Sequence, residues 1–161
     1  RSLAPQRLSP AEMLKKLNLL LLDRKIEAHF ITLTYCVWDS KTRTMRLANA
    51  GMPLPLLVRG RRVHAIHAEG VPLGLLDHAE HEETSLVLEK GDLLAMFSDG
   101  LLEANDAHRQ EFGIQRMENI VREHGHLSVS EIIAKVFREV GKFEQGRSPL
   151  DDQTLLVIKA R

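Results

Sequence analysis

Acidic residues stand beside apolar runs at two distant places in the chain. Asp99 follows the run 93–97. Asp151 and Asp152 precede the run 155–158. Because the end of one strand lies beside the start of its neighbour in an antiparallel sheet, pairing of these runs would bring three carboxylates to one sheet edge. Crowded carboxylates repel one another, and a hard divalent cation relieves that repulsion, so the sequence predicts a carboxylate-bound metal site.

Each acidic segment taken alone also fits a purely structural role. Ser98-Asp99-Gly100 is a common turn sequence, in which the glycine supplies unusual backbone angles. Asp151-Asp152 equally suits a polar loop before a strand. For either segment by itself the structural interpretation is the better one. Their combination at strand ends favours a metal site, because a site on strand ends is held more rigidly than one on loops.

Other kinds of catalytic or metal site find little support in the sequence. The histidine pairs His64/His67 and His78/His81 lack a third ligand at a spacing that suits zinc, and we interpret them as surface residues. Cys36 is the only cysteine, so no internal disulfide can form, and no neighbouring base would activate its thiol. The sequence contains no Gly-x-Ser-x-Gly nucleophile motif and no glycine-rich phosphate loop. A carboxylate-bound metal is the chemistry that these residues support.

Composition places the 161-residue chain among globular proteins that are long enough for a domain with a core. The formal net charge is zero, so no basic surface indicates nucleic acid or anionic lipid as a partner. The densest basic segment, Arg59-Gly60-Arg61-Arg62, is interpreted as a solvated hairpin turn. No apolar stretch is long enough for a membrane span and no signal peptide is visible, so we expect a cytoplasmic protein. Because the chain starts with Arg1, we also expect it to be a piece of something longer.

Hydrophobic periodicity indicates the order of the secondary structure. Ser9 and Glu12 form a capping box ahead of leucines at helical spacing, and Ser128 and Glu131 form a second one. Strands come in one block, two helices follow, and one strand closes the chain, which is typical of an α+β fold with antiparallel sheets in a single domain over residues 1–161. The predicted helices are at about 10–25, 114–121 and 129–140, and the predicted strands are at 30–38, 45–50, 54–58, 63–67, 82–88, 93–98 and 154–159.

Five motifs occur in an order that resembles a known protein family. They are Asn49-Ala50-Gly51, Gly70-Val71-Pro72-Leu73-Gly74, the segment from Phe97-Ser98-Asp99-Gly100 to Ala104, Phe112-Gly113, and Asp151-Asp152-Gln153-Thr154 with the apolar run after it. Together they resemble the SpoIIE-type branch of the bacterial PPM serine/threonine protein phosphatases. The resemblance extends over about residues 10–159, essentially the whole chain, and five motifs in the same order argue against chance agreement.

The resemblance implies a sandwich of two antiparallel sheets flanked by helices, with a two-metal manganese or magnesium site at one edge. Asp99 and Asp151 match metal ligands of the family, and Asp152 is the neighbouring candidate. The metals would activate a water molecule for attack on a phosphoserine or phosphothreonine. The remaining motif residues are expected to be structural, namely Asn49, Gly51, Gly74, Gly100 and Thr154.

The resemblance also implies partners. Members of this family commonly act on a phosphorylated anti-sigma-factor antagonist, and they often follow a sensor or receiver domain. We therefore expect a phosphorylated protein as substrate and a sensor or receiver domain upstream in the intact protein.

Two departures from the family pattern matter. Met52 stands where the family has the histidine of its Asn-Ala-Gly-His stretch. The family also has an upstream Gly-Asp-x-x-Gly-His-Gly segment whose aspartate bridges both metals, and no aspartate precedes Ser9. Two remaining carboxylates would bind a divalent ion weakly.

We expect the intact protein to be a phosphatase and this chain alone to be inactive or nearly so. The alternative is a phosphatase-like domain without catalysis that binds proteins or relays a signal.

Since the upstream segment is not found, we also expect the N-terminal strands of the sandwich to be missing from this chain, which leads to an expectation about assembly. A sandwich without them would expose strand edges and apolar surface, which proteins normally avoid. If the chain exists alone, we expect a homodimer or larger assembly that covers this edge.

Overall fold

The computed structural model describes residues 8–23 and 30–161. Over those ranges the chain combines helices with two antiparallel sheets, which confirms the predicted α+β class. Its helices there are α1 (Pro10–Asp23), α2 (Asp99–Leu102), α3 (Gly113–His124) and α4 (Val129–Glu144). Its strands there are β1 (Leu33–Asp39), β2 (Thr44–Ala50), β3 (Leu56–Arg59), β4 (Arg62–Ala65), β5 (Glu83–Val87), β6 (Leu93–Phe97) and β7 (Leu155–Lys159). None of the described helices is long and apolar enough to cross a membrane.

The described residues divide into two compact units. The first unit comprises the described parts of Arg1–Leu54 together with His67–Leu88, and the second unit comprises Pro55–Ile66 and Glu89–Arg161. The sheet of the first unit has the strand order β1-β2-β5, and that of the second has the order β4-β3-β6-β7. The single domain predicted for residues 1–161 stays a prediction.

Helix α1 of the first unit begins as the sequence predicts. The Glu12 carboxylate accepts a hydrogen bond from the Ser9 N–H (2.8 Å), and the Ser9 hydroxyl accepts one from the Glu12 N–H (3.3 Å). These two bonds are the predicted capping box. Leu14 is fully buried in the core that α1 forms with β2. The helix is therefore confirmed over residues 10–23, and residues 24 and 25 of the predicted helix lie outside the described residues.

Strand β1 begins at Leu33 rather than at Phe30 as predicted. Ile31 instead exchanges backbone hydrogen bonds with Leu73 (3.0 and 2.8 Å), so this part of the apolar run pairs with a loop and not with β2. Beyond β1 the predicted turn is present, and the carboxylate of Asp39 accepts a hydrogen bond from the Lys41 N–H within it (2.8 Å).

The second unit is built around β6, whose five residues are all buried. This strand pairs with β3 on one side and with β7 on the other, and its apolar side chains share a core with α3 and α4. The predicted capping box of α4 is confirmed, because Ser128 and Glu131 each accept a hydrogen bond from the other's backbone N–H. The buried residues of this core include Leu56, Leu93, Phe97, Leu101, Phe112, Met117, Ile120, Val121, Ile132 and Val136.

The basic segment 59–62 forms the predicted hairpin turn, but Arg59 is more than a solvated turn residue. Its Nε and Nη2 donate hydrogen bonds to the carboxylate of Asp92 (3.0 and 2.6 Å). Asp92 is only 1% exposed, so this bond brings a charge partner to a buried carboxylate. The bond raises the pKa of the Arg59 guanidinium above its usual value, chiefly through the hydrogen bond itself.

The interpretation of all four paired histidines as surface residues is wrong for His81. His64, His67 and His78 are exposed, whereas His81 is buried. Its Nε2 lies 3.0 Å from the carbonyl oxygen of Val71. A carbonyl oxygen can only accept, so Nε2 carries the proton in this contact. The loop that contains Val71 covers the ring, and the sequence around His81 gives no sign of this.

Candidate metal-binding site

The strand pairing that the metal hypothesis requires is present in the second unit. β6 and β7 are antiparallel, and Phe97 at the end of β6 stands opposite Leu155 at the start of β7. One residue further on, the Ser98 N–H donates a hydrogen bond to the Thr154 carbonyl oxygen (3.0 Å). The end of β6 and the start of β7 therefore meet at one edge of the sheet, as predicted.

The Ser98 hydroxyl joins the two acidic segments directly. It donates a hydrogen bond to the Asp152 carbonyl oxygen (2.8 Å) and accepts one from the Thr154 N–H (2.9 Å). We call this pair of hydrogen bonds the Ser98 bridge. Ser98 stands at the N-cap position of α2, but its side chain makes no capping bond, because the hydroxyl is used across the two segments instead.

Gly100 allows the two segments to approach closely. A Cβ atom at this position would lie 2.5 Å from the carbonyl oxygen of Asp152 and 3.2 Å from the carbonyl carbon of Asp151. Side chains do not tolerate such distances to backbone atoms, so only glycine fits here without a shift. The Ser-Asp-Gly segment was predicted as a turn; it is instead the start of the one-turn helix α2, which the Glu103 N–H closes on the Asp99 carbonyl oxygen (2.8 Å).

Asp99 and Asp151 have similar local environments. One carboxylate oxygen of Asp99 accepts a hydrogen bond from the N–H of Gly100 (3.0 Å), and one of Asp151 accepts from the N–H of Asp152 (2.7 Å). Asp99 is partly exposed, and Asp151 and Asp152 are exposed. Within the described residues, none of the three carboxylates forms an ion pair with a lysine or arginine. Their charges are therefore open to a cation from solution.

The donor set fits a hard divalent cation in kind but not in number. Carboxylate oxygens are the ligands that Mn²⁺ and Mg²⁺ prefer. However, no three aspartate, glutamate, histidine or cysteine side chains are grouped closely enough to hold a metal ion in the part of the chain that the structure describes. Asp99, Asp151 and Asp152 therefore do not form a three-ligand group by themselves in the described residues, and their role as metal ligands stays a prediction.

The loop that carries Asp151 is tied to the end of α4. The buried carboxylate of Glu144 accepts a hydrogen bond from the side-chain amide of Gln153 (2.7 Å). After Glu144 the helix stops, because Gln145 and Gly146 adopt left-handed backbone angles, with φ of 53° and 81°. The residues that directly follow Asp151 are thus held both by α4 and by the Ser98 bridge.

The motif around Asn49 belongs to the first unit and has a structural role there. The buried side chain of Asn49 donates to the Met52 carbonyl oxygen (2.7 Å) and accepts from the Met52 N–H (3.1 Å), which fixes the turn between them. Gly51 in that turn has a φ of 79°, and a Cβ there would lie 2.6 Å from a ring carbon of Pro72. Met52, in the place of the family histidine, contributes only backbone atoms to these bonds.

Gly74 is also held by a buried amide. The side chain of Asn18 in α1 accepts a hydrogen bond from the Gly74 N–H (2.7 Å) and donates one to the Leu76 carbonyl oxygen (2.9 Å). Gly74 itself has a φ of 84°, which favours glycine. The glycine at position 74 is therefore explained by its backbone geometry.

Sequence reasoning missed two of the groups that position the candidate ligands. From the sequence, Ser98 is interpreted only as a turn residue, Gln153 is named only as part of a motif, and Glu144 carries no prediction. A hydroxyl residue directly at a strand end was the one local signal for Ser98. The partners of all three residues lie far away in the sequence or across a loop, so their bonds depend on the tertiary fold.

Comparison with known proteins places the chain in a family. The model of the family described as Stage II sporulation protein E (SpoIIE) matches residues 1–161. The phosphoserine phosphatase RsbU of Bacillus subtilis is 26% identical over 165 residues, which cover 99% of this chain and 48% of RsbU. The phosphoserine phosphatase RsbP of the same organism is 19% identical over 161 residues, covering 97% of this chain and 38% of RsbP. The chain thus spans about half or less of the length of these relatives.

Solved structures share the fold. The PP2C domain of SiaA from Pseudomonas aeruginosa matches with a TM-score of 0.85 at 17% identity, over 95% of this chain and 61% of that domain. The phosphatase domain of SpoIIE from Bacillus subtilis, presoaked with manganese, matches with a TM-score of 0.67 at 24% identity, over 98% of this chain and 68% of that domain. At these identities the structural likeness supports the fold alone.

Proposed function

The chain belongs to the SpoIIE family, in the SpoIIE/RsbU-type branch of the PPM phosphatases, and from this premise we propose that its intact protein is a metal-dependent phosphoprotein phosphatase. The substrate is a phosphoserine or phosphothreonine on a signalling protein of the anti-sigma-factor-antagonist type. Support for this comes from the relatives that are named phosphoserine phosphatases. The single structural observation that carries the proposal is the Ser98 bridge, which joins the two segments that bear the candidate ligands.

Asp99 and Asp151 are the proposed ligands of Mn²⁺ or Mg²⁺, and Asp152 is the neighbouring candidate. When bound, such ions lower the pKa of a coordinated water and neutralise charge on the phosphoryl group. The chain's own residues serve to place the ligands. The Ser98 bridge and the close approach at Gly100 fix the distance between the two segments, and the backbone N–H groups next to Asp99 and Asp151 orient one oxygen of each carboxylate.

The test of the proposal is hydrolysis of a phosphoserine protein with manganese present. It compares the full-length protein with this chain alone. We expect turnover by the full-length protein and little or none by the chain, because two or three carboxylates do not complete a two-metal site. A full-length protein that is inactive on several phosphoserine and phosphothreonine proteins would contradict the proposal.

A second candidate function is a phosphatase-like module that binds a phosphoprotein without hydrolysing it. Met52 favours it, because the family has a histidine at this position and methionine cannot replace an imidazole as base, donor or ligand. Stoichiometric binding of the phosphoprotein that does not lead to release of phosphate would favour this candidate. A histidine introduced as Met52→His that restores or raises turnover would identify the residue as the cause.

An upstream sensor or receiver domain stays a prediction for the intact protein, and a homodimer or larger assembly stays a prediction for this chain alone. Size measurement by light scattering tests the second of these. A monodisperse monomer of this chain with cooperative melting would contradict the predicted assembly.

A further inference from the structure

The second unit contains a cavity of about 670 Å³. One of its lining residues is Leu150, which directly precedes the candidate ligand Asp151 in the chain. We call it the arginine cavity, after its two basic residues. It is lined by Asn105, Arg109, Glu111, Arg147, Ser148 and Leu150.

Arg109 is held in an unusual backbone conformation by its own loop. Its φ is 61°, which non-glycine residues seldom adopt and which often marks functional positions. The Asp106 carboxylate accepts hydrogen bonds from the N–H groups of His108 (2.8 Å) and Gln110 (2.9 Å), and the Asp106 carbonyl oxygen accepts one from the Arg109 N–H (3.1 Å). The loop therefore presents Arg109 from a rigid turn.

Arg147 is attached to the same aspartate. Its Nη1 donates a hydrogen bond to the Asp106 carbonyl oxygen (3.0 Å), and its backbone N–H donates to the Glu144 carbonyl oxygen (3.1 Å). A guanidinium has five N–H donors, so four remain for another partner. Asp106 thus places both arginines on one cavity.

The base of the Asp106 loop is fixed as well. The Arg116 side chain donates hydrogen bonds to the carbonyl oxygens of Glu111 (3.1 Å) and Phe112 (2.7 Å). The same guanidinium lies 4.6 Å from the centre of the Phe143 ring, which holds it against α4. The loop is therefore built to keep its shape without a ligand.

The charges of the cavity favour an anionic occupant. In the part of the chain that the structure describes, neither Arg109 nor Arg147 forms an ion pair, although Glu111 lines the same cavity. Both guanidiniums are exposed. Two unpaired arginines against one glutamate give the cavity a positive balance, whereas the adjacent residues Asp151 and Asp152 attract cations.

We propose that the arginine cavity binds acidic side chains that flank the phosphorylated residue of the substrate protein. This inference rests on the proposed phosphatase function. Arg147 precedes Asp151 by four residues, and a stretch of that length reaches at most about 14 Å. When the phosphoryl group of the substrate lies near Asp151, the substrate residues on either side of the phosphorylated one are therefore within reach of the Arg147 guanidinium. Leu150 lies between Arg147 and Asp151 in the chain and is 76% exposed, so it offers an apolar contact to the substrate. Arginine is the residue best suited to bidentate recognition of carboxylates.

The test uses two phosphoserine peptides that differ only in having glutamate or alanine on both sides of the phosphoserine. The measured quantity is the kcat/KM value for the glutamate-flanked peptide divided by that for the alanine-flanked peptide, with the full-length protein and manganese. The variant R109A/R147A should lower this ratio about tenfold, the combined effect expected of two exposed ion pairs. Arg62→Ala is the matched control, because Arg62 is exposed on the hairpin that stands beside the start of β6, at the opposite end of the sheet from Asp99.

Charge reversal provides a second and independent arm. R109E/R147E should prefer a lysine-flanked peptide over the glutamate-flanked one, which a merely misfolded variant would not do. An unchanged ratio in R109A/R147A, or an equal loss in Arg62→Ala, would overturn the proposal. If the wild-type protein hydrolyses neither peptide, the proposed function has failed instead. Fluorescence anisotropy with the unphosphorylated glutamate peptide then still tests the cavity, and equal affinity of wild type and R109A/R147A would overturn it.

Discussion

The hydroxyl group of Ser98 lies 2.8 Å from the carbonyl oxygen of Asp152, to which it donates a hydrogen bond. Fifty-four residues separate the two in the chain, so this bond exists only because β6 and β7 pair. It places a backbone atom of the Asp-Asp segment against the first residue after β6. The candidate ligands Asp99 and Asp151 are thereby carried on segments whose separation is fixed by hydrogen bonds.

Replacement of Ser98 by alanine should loosen this edge. Ser98→Ala removes the bonds to the Asp152 carbonyl oxygen and from the Thr154 N–H, and we expect a loss of about 1–2 kcal/mol in the free energy of unfolding. Urea denaturation measures this loss. The control is Ser40→Ala in an exposed turn, where the change should stay within about 0.5 kcal/mol. Equal stability of the two variants would show that the Ser98 bridge contributes nothing.

Glycine-to-alanine changes in two helices should have opposite signs. Gly100→Ala places a Cβ 2.5 Å from the Asp152 carbonyl oxygen, so the two segments must separate and the protein should be destabilised. Gly141→Ala in α4 meets no atom within 4 Å, and alanine should stabilise that helix by about 1 kcal/mol. Thermal melting of both variants checks this contrast. Stabilisation by Gly100→Ala would mean that the close approach is not a constraint.

Asp99→Asn tests the proposed ligand directly. The change keeps the shape of the side chain and its bond from the Gly100 N–H but removes the charge, so we expect manganese-dependent phosphatase activity of the full-length protein to fall more than about 100-fold. Asp77→Asn, an exposed aspartate of the first unit, is the matched control and should retain activity. Retained turnover in Asp99→Asn would remove Asp99 from the proposed site.

Local signals in the sequence predicted much of the fold. Both capping boxes, at Ser9 and at Ser128, occur as predicted, because each depends on residues three apart in the chain. The meeting of β6 and β7 was also predicted, because acidic segments adjoin the end of one apolar run and the start of the other. Helix α2 was missed because four residues are too short to show a helical period.

The features that were mispredicted depend on distant partners. The burial of His81 comes from the Val71 loop, and the bond between Arg59 and Asp92 joins residues 33 apart. The position of Arg147, for which we made no prediction from the sequence, likewise depends on a bond to the carbonyl oxygen of Asp106, 41 residues away. Such bonds become visible only when the chain has folded, so composition and periodicity cannot reveal them.

The Asp106 loop should lose stability in acid. Hydrogen bonds from the N–H of Gln110 and, to a smaller extent, of His108 lower the pKa of the Asp106 carboxyl below its usual value. Because the carboxyl group has a lower pKa in the folded than in the unfolded protein, its charged form stabilises the fold. This stability is fully present above the unfolded-state pKa of about 4 and is lost as the pH falls through the folded-state pKa. Asp106→Asn should therefore destabilise the protein at pH 6 and less at pH 3. Urea denaturation at both pH values checks this, and an equal effect at both would contradict it.

The bond between Arg59 and the buried carboxylate of Asp92 should be costly to break from one side. Arg59→Ala removes the bidentate partner of a carboxylate that is 1% exposed, and we expect a clear loss in the free energy of unfolding. Arg61→Ala, at the exposed turn of the same hairpin, should change it by no more than about 0.5 kcal/mol.

A double variant separates the cost of the buried charge from that of the lost contacts. In Arg59→Met combined with Asp92→Leu neither charge remains, so the loss should be smaller than in Arg59→Ala although more polar atoms have been removed. Urea denaturation of all three variants measures the difference. A double variant less stable than Arg59→Ala would mean that the hydrogen bonds of Asp92, including the one from the Glu89 N–H (2.8 Å), outweigh the cost of burying its charge.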